Sequence, residues 1–304
     1  MYKWKCFLNF SLFTLTSLSF IDAQCLPDDT TETRVTKAKA IFSTTSDELS
    51  KRAFPISTAA IVDRIVFHPI ESVITIQQSH VHKNYSKLNF CEGASVLYKN
   101  GGLSAFYKGF AWPMLNAIPN RFLVFGTYYA ARRHLESYSL NEKHIYSGVL
   151  ASIVKAISSC PSEAERTRQV CGIHVTNRFS PQSLFKGLLP LSIKHISALA
   201  PSLAGTDILI HRYQSIKESA LGPFVIASAI SFVFQTISTP ADMLKTRVME
   251  DYTGKTFRTH LTQLKRDKNL IFRTFWSRAF RSSGGAGLTI GIIHLSQSLM
   301  GHDE

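Results

Sequence analysis

The sequence has few charged residues and few cysteines for its length. Charged residues make up 18% of its 304 residues, whereas soluble domains usually contain about 25%. The five cysteines are scattered and form no C-x-x-C pair, so they support neither a zinc site nor a disulfide framework. Nucleophile-elbow, Walker and dinucleotide-binding motifs are also missing from the sequence. We therefore expect no enzymatic activity, no bound metal and no cofactor.

The chain is strongly basic, with 34 Lys and Arg residues against 21 Asp and Glu residues and a net charge of +13. Such a charge suits nucleic acid, anionic lipid or small anions as partners. The basic residues form no block or tail. Instead they recur at the ends of apolar stretches, as they do around membrane spans. This pattern argues against nucleic-acid binding. A protein that is soluble without detergent would support nucleic-acid binding instead.

The first 51 residues differ from the rest of the chain. Residues 1–5 include two lysines, residues 6–21 are apolar, and Asp22-Ala23-Gln24 follows. This layout is typical of a secretory signal peptide; an additional hydrophobic anchor is the alternative. Residues 26–51 are polar and rich in Thr and Ser, which favours a linker. We treat residues 1–51 as an N-terminal extension.

The remainder contains three similar strings, each opening with a proline that follows an apolar stretch. They read PIESVITIQQ from Pro69, PSEAERTRQ from Pro161 and PADMLKTRV from Pro240. A second string follows each one. It reads FYKGF in repeat 1, LFKGL in repeat 2 and IFRTF in repeat 3, where Thr274 replaces glycine. Each second string leads into another apolar stretch. The sequence therefore predicts three repeats, over residues 52–140, 141–216 and 217–300, each with two helices long enough to span a membrane.

The pattern P-x-[DE]-x-x-[KR]-x-[KR], followed by an aromatic-[KR]-G string, resembles the mitochondrial carrier family over residues 52–300. The resemblance implies an all-α membrane protein with six transmembrane helices. These form three helix-pair repeats around a pseudo-threefold axis and enclose a water-filled cavity. It also implies a monomeric, multi-pass protein of the mitochondrial inner membrane, in contact with lipids that include cardiolipin.

Each proline-opened string carries an acid, and the strings of repeats 2 and 3 also carry a base; the resemblance assigns these residues to a gate on the matrix side. In a helix the proline removes a backbone donor and kinks the axis, which would bring three helices together. The acid of each repeat then faces the base of the next. The predicted pairs are Glu71 with Arg166, Glu163 with Lys245, and Asp242 with residue 74. Because residue 74 is Ile, we expect two ion pairs of three, with Gln78 at the position of the family's glutamine brace.

The family's second gate, on the cytoplasmic side, follows the pattern [FY]-[DE]-x-x-[KR]. The matching positions here are Tyr129 with Arg132, Asp207 with Ile210, and His294 with Gln297. Cyclic pairing places Tyr129 opposite Ile210, Asp207 opposite Gln297, and His294 opposite Arg132. We therefore expect this gate to contain no ordinary ion pair.

Basic side chains occupy the positions that bind substrate in the family. The matching residues are Asn116, Lys194 with its neighbour His195, and Arg281, and Arg64 resembles a lysine of ADP/ATP carriers. The string RSSGGA from Arg281 also resembles the R-G-M-G-G-A stretch of those carriers, although their R-R-R-M-M-M signature is absent. Because arginine suits phosphate, the favoured substrate is a nucleotide such as ATP or ADP. Other phosphate or carboxylate metabolites remain alternatives, and Arg121 and Lys155 fit structural roles equally well.

The departures from the family pattern indicate a divergent member. Repeat 2 is also short, with 26 residues from Pro161 to Gly187 against 40 from Pro69 to Gly109. One explanation is a pathogen protein acting in the mitochondria of a host cell, comparable to the Legionella nucleotide carrier protein. A parasite protein or an organellar paralogue would look much the same. A different functional class, a carrier-fold protein that has lost transport and serves as an anchor or interaction protein, also stays open.

Overall fold

The structure is a computed structural model that describes residues 53–79, 89–173, 179–213, 221–251, 256–266 and 268–299. The predicted N-terminal extension lies outside these residues. Within them the chain is helical and contains no strand. Six long helices are present: α1 Ala53–Gln78, α3 Ala111–His134, α4 Leu140–Cys171, α6 Leu188–Arg212, α7 Gly222–Glu250 and α9 Lys268–Leu299. Three shorter helices lie between them: α2 Phe90–Phe106, α5 Pro181–Leu184 and α8 Phe257–Arg266.

The six long helices form a closed ring in which each packs against its neighbours in chain order. α1 contacts α3, α3 contacts α4, and the series continues through α6 and α7 to α9, which packs against α1. The three proline-opened strings lie inside α1, α4 and α7. These three helices alternate around the ring with α3, α6 and α9. We call the end of the ring at which their three proline-opened strings lie the proline end. The fold that the family resemblance implies, three helix pairs around a central axis, is confirmed.

The long helices are sufficient in length to cross a membrane, but differ in hydropathy. The shortest of them, α3, has 24 residues, which at 1.5 Å per residue exceeds the hydrocarbon core of about 30 Å. Among the described helices, α7 alone is also apolar enough to qualify as a span by composition. The others carry charged residues along the face that lines the interior, and these residues lower their mean hydropathy.

Local signals in the sequence explain where several helices begin and end. Ser139 caps α4, since its side chain accepts a hydrogen bond from the backbone N–H of Glu142 and the Glu142 carboxylate accepts one from Ser139. The same helix ends at Cys171 and is capped by Gly172, whose φ of +67° suits glycine. In repeat 2 the described residues between the two strings form only the single turn α5.

The second strings produce a turn in two repeats and not in the third. Gly109 and Gly187 have φ values of +78° and +92°, and at Gly187 a Cβ atom would lie 2.8 Å from Met249 Cγ. Glycine is therefore needed there for its backbone conformation and for the close approach. Thr274 cannot adopt this conformation without strain, and the chain runs through it inside α9, which begins at Lys268.

Candidate functional site

Two ion pairs at the proline end join the helices that carry the proline-opened strings, α1 to α4 and α4 to α7. Arg166 Nη1 of α4 lies 2.8 Å from Glu71 Oε2 of α1. Lys245 Nζ of α7 lies 2.8 Å from Glu163 Oε2 of α4. Arg166 also reaches Glu163, at 3.3 Å, so that the four side chains form one charged chain from α1 to α7. These are the two pairs that the repeat pattern predicts.

The third acid, Asp242, was expected to have no counter-charge because its predicted partner is Ile74. The structure instead gives it two basic partners. Its Oδ1 lies 2.8 Å from Lys194 Nζ of α6, and its Oδ2 contacts the guanidinium group of Arg278 in α9. Ile74 is itself fully buried. The correction has a geometric cause: bases on the intervening helices reach an acid that lacks its partner on α1.

Gln78 connects this third acid to α1. Its Oε1 accepts hydrogen bonds from Arg278 Nη2 at 3.0 Å and from Thr246 Oγ1 at 3.1 Å. Arg278 thus bridges Asp242 of α7 and Gln78 of α1, and closes the third side of the ring. The sequence analysis missed Arg278, although a basic residue within a predicted span is a usable signal of function.

A polar cavity occupies the interior of the ring above this charged layer. Its lining includes five lysine or arginine side chains and three carboxylates. The basic residues are Arg64, Arg121, Lys155, Lys194 and Arg281, and the acidic ones are Asp63, Glu71 and Glu163. All six long helices contribute to the lining. The excess of positive charge in this cavity favours an anionic ligand.

Four of the five residues predicted to bind substrate line this cavity: Arg64, Lys194, His195 and Arg281. Three of these four already contact acids. Arg281 Nη2 lies 2.5 Å from Glu71 Oε1 and 3.6 Å from Asp63 Oδ2. Arg64 Nη1 lies 3.5 Å from Glu71 Oε2. An anion that binds these arginines must therefore compete with carboxylates of the protein.

The fifth predicted residue, Asn116, faces a neighbouring helix instead. Its Nδ2 donates hydrogen bonds to the Ser158 carbonyl at 3.2 Å and to Ser162 Oγ at 3.1 Å, both in α4. Asn120, one turn further along α3, lines the cavity in its place. The prediction counted seven residues from Gly109, a spacing at which Lys194 and Arg281 do line the cavity. Asn116 differs because its amide group is hydrogen-bonded to α4.

Asp63 is a second cavity residue that the sequence analysis did not identify. It is buried, and its Oδ2 lies 3.2 Å from Arg121 Nη2. Gly285 of α9 packs directly against it, since a Cβ atom there would lie 2.5 Å from Asp63 Oδ1. Glycine in the RSSGGA string therefore makes room for a carboxylate that joins α1, α3 and α9.

A second polar cluster lies at the opposite end of the ring and corrects another prediction. Arg132 Nη1 lies 3.4 Å from Asp207 Oδ2, where no ion pair was expected. Tyr128 donates a hydrogen bond to the same oxygen at 2.9 Å and lies 2.8 Å from His144 Nδ1. The contact joins α3, α4 and α6 within the first two repeats, whereas the predicted pairing linked different residues across the axis.

The other residues predicted for this gate contribute differently or are not described. Tyr129 is buried in an apolar cluster with Phe125 and Ile293, and the Arg132 guanidinium group lies 5.6 Å from its ring centre. The side chain of His294 lies outside the described residues. In the part of the chain that the structure describes, no group of three or more His, Cys, Asp or Glu side chains could hold a metal ion.

Comparison with known proteins supports the interpretation of the fold. Residues 47–139 match the family model described as mitochondrial carrier protein, a segment that covers all but the last residue of the first predicted repeat. The chain is 24% identical over 192 residues to the calcium-binding mitochondrial carrier protein SCaMC-2-B of Danio rerio, which covers 58% of this chain and 39% of that protein. The chain thus matches about two fifths of its relative's length. Together with the ring of three helix pairs, the family match shows the mitochondrial carrier fold.

Proposed function

We propose that the protein is a multi-pass transporter of the mitochondrial inner membrane that moves an anionic metabolite by alternating access. The observation that carries this proposal is the central cavity, which all six long helices line and in which basic side chains outnumber acidic ones five to three. A nucleotide such as ATP or ADP is the favoured substrate.

The distribution of polar and apolar side chains supports a membrane location. Charged residues such as Asp242, Lys245 and Arg247 are buried within the ring. Large apolar side chains instead point outward from the long helices. Examples, each more than a third exposed, are Ile65, Val66, Leu115, Ile153, Leu189, Ile193, Val225, Val233, Trp276 and Phe280. Such an arrangement is costly in water and favourable in lipid, because the hydrocarbon core solvates apolar surface.

The ion pairs at the proline end support a gating role. The pairs Glu71–Arg166 and Glu163–Lys245 join α1 to α4 and α4 to α7. Arg278 of α9 contacts Asp242 of α7 and Gln78 of α1, so these contacts together hold α1, α4 and α7 at one end of the cavity. Charged pairs beside a polar cavity can separate at moderate cost because water replaces the lost partner. If the proline end opened while the Tyr128–Asp207 end closed, the cavity would be exposed to the side of the membrane at the proline end.

The preference for a nucleotide rests on the arginines. Guanidinium groups bind phosphate through two parallel hydrogen bonds, and Arg64, Arg121 and Arg281 lie in one cavity. Carboxylate metabolites are the alternative substrates.

Uptake by liposomes that contain the purified protein tests the proposal. Labelled ATP, ADP, phosphate and dicarboxylates are supplied outside, with and without unlabelled anion inside. Saturable uptake of one of these anions is expected, and stimulation by internal anion would identify exchange. Protein that is folded by its thermal transition but takes up none of them would favour the anchor or interaction role.

A further inference from the structure

Lys155 differs from the other basic residues of the cavity. Arg64, Arg121, Lys194 and Arg281 each have a carboxylate oxygen within 4 Å. Lys155 has no such partner among the described residues. The charges that act on it most strongly are those of Arg121, Arg64, Lys194 and Arg281, all of the same sign.

An ammonium group in this position destabilises the empty protein. It is half-buried in the cavity wall, the charges that act on it most strongly are four other cations, and no carboxylate oxygen of the described residues lies within 4 Å of it. A charge held at such a cost is explained by a ligand that supplies the opposite charge. We propose that Lys155 is an anion-binding residue that holds a phosphate or carboxylate group of the ligand. This inference rests on the proposed transport of an anion.

Two neighbouring polar side chains complete the subsite. Asn120 Oδ1 accepts a hydrogen bond from Ser158 at 2.8 Å, which orients its amide and leaves Nδ2 with no partner among the described residues. His195, in α6, faces the same cavity, and Lys155 is the charged group that acts on it most strongly. Two donors and an imidazole from α3, α4 and α6 therefore surround the same part of the cavity.

The position of the subsite indicates how the ligand engages the protein. An anionic group can bind Lys155 without displacing any carboxylate of the protein. Binding to Arg281 on the other side of the ring requires competition with Glu71, at 2.5 Å, and with Asp63. Lys155 is thus the contact that forms at the lowest cost, and it holds the ligand while the paired arginines exchange partners.

Thermal unfolding of the purified full-length protein in detergent tests this role. The probes are ATP, inorganic phosphate and succinate. The variants are Lys155→Gln, Lys155→Arg and the control Lys99→Gln, at an exposed lysine of α2. Without a probe, Lys155→Gln should unfold at or above the wild-type temperature, because it removes repulsion. For a probe that stabilises the wild type, the concentration that gives half-maximal stabilisation should be about tenfold higher or more in Lys155→Gln. Lys155→Arg and Lys99→Gln should respond to the probe as the wild type does.

Three results would overturn the inference. These are no stabilisation of the wild type by any probe, an unchanged probe response in Lys155→Gln, or a probe-free Lys155→Gln that unfolds several degrees below the wild type and so reveals a structural role. Liposome uptake separates this inference from the proposed function. Uptake that is insensitive to Lys155→Gln would remove the inference and keep transport. Lys155-dependent binding without uptake would keep the inference and remove transport.

Discussion

Lys194 Nζ lies 2.8 Å from Asp242 Oδ1, so a residue predicted to bind substrate holds an acid predicted to close the gate. An anion bound to Lys194 competes with Asp242 for the same ammonium group. Ligand binding and the stability of the proline end are therefore expected to be coupled through this one contact.

Removing the Lys194 charge should destabilise the protein even without ligand. Asp242 is fully buried and keeps only Arg278 and the more distant Lys245 in Lys194→Gln. We expect a loss of about 1–3 kcal/mol in unfolding free energy, measured as a lower unfolding temperature. Lys155→Gln is the matched comparison within the cavity, because it removes a lysine without an acidic partner. Equal effects of the two substitutions would contradict the distinction between them.

The Glu163–Lys245 pair should behave as a buried ion pair. Replacing Lys245 by Met leaves Glu163 with Arg166 at 3.3 Å, and we expect a cost of about 3 kcal/mol. Replacing both residues by Met should cost less than the sum of the single changes, because no unpaired charge remains. A double-mutant cycle by thermal unfolding measures this coupling, and additive effects would show that the pair is not formed.

Arg278 and Gln78 should be coupled in the same way. Arg278→Gln removes a counter-charge of Asp242 and a donor to Gln78 Oε1. Gln78→Leu also removes the acceptor of the Thr246 hydroxyl group. Each substitution should lower stability by about 1–3 kcal/mol, with a coupling of at least about 0.5 kcal/mol between them. If Arg278→Gln left the unfolding temperature unchanged, Arg278 would not be the third link of the gate.

The Tyr128 hydroxyl group should matter more than that of an exposed tyrosine. It contacts Asp207 Oδ2 at 2.9 Å and His144 Nδ1 at 2.8 Å, and Tyr128 is buried. Tyr128→Phe should therefore cost about 1–2 kcal/mol. Tyr138→Phe is the control, because Tyr138 is 51% exposed and its loss of a hydroxyl group should leave the unfolding temperature unchanged. Similar responses of both variants would argue against the cluster at this end.

The sequence was sufficient to predict elements that follow from the chain's own periodicity. Three prolines with an acid two residues on, followed in repeats 2 and 3 by a base five residues on, mark α1, α4 and α7. The offset between repeats brings Arg166 near Glu71 and Lys245 near Glu163. The ring of helix pairs was an expectation from the family resemblance that these strings carry. The exact limits of the repeats remain predictions, although α4 begins at Leu140, one residue before the predicted boundary.

The remaining contacts depend on which neighbouring group each side chain reaches, which spacing does not determine. Asn116 was expected in the cavity because seven residues separate it from Gly109, yet α3 presents Asn120 there. Arg132 and Asp207 were assigned to His294 and Gln297 because the prediction paired the acid position of each repeat with the base position of the next. Arg278 lies outside every repeated string, and only the packing of α9 against α1 and α7 brings it to Asp242 and Gln78.

Uptake of a labelled anion through this cavity is the most direct test of the account. Liposomes with the wild-type protein are compared with liposomes containing Arg281→Gln or the control Arg258→Gln, at an exposed arginine of α8. We predict saturable uptake by the wild type and by Arg258→Gln, and a loss of at least about tenfold in Arg281→Gln because its forked contacts to the anion are removed. Equal uptake by all three proteins, or no uptake of any anion by folded wild-type protein, would contradict the account.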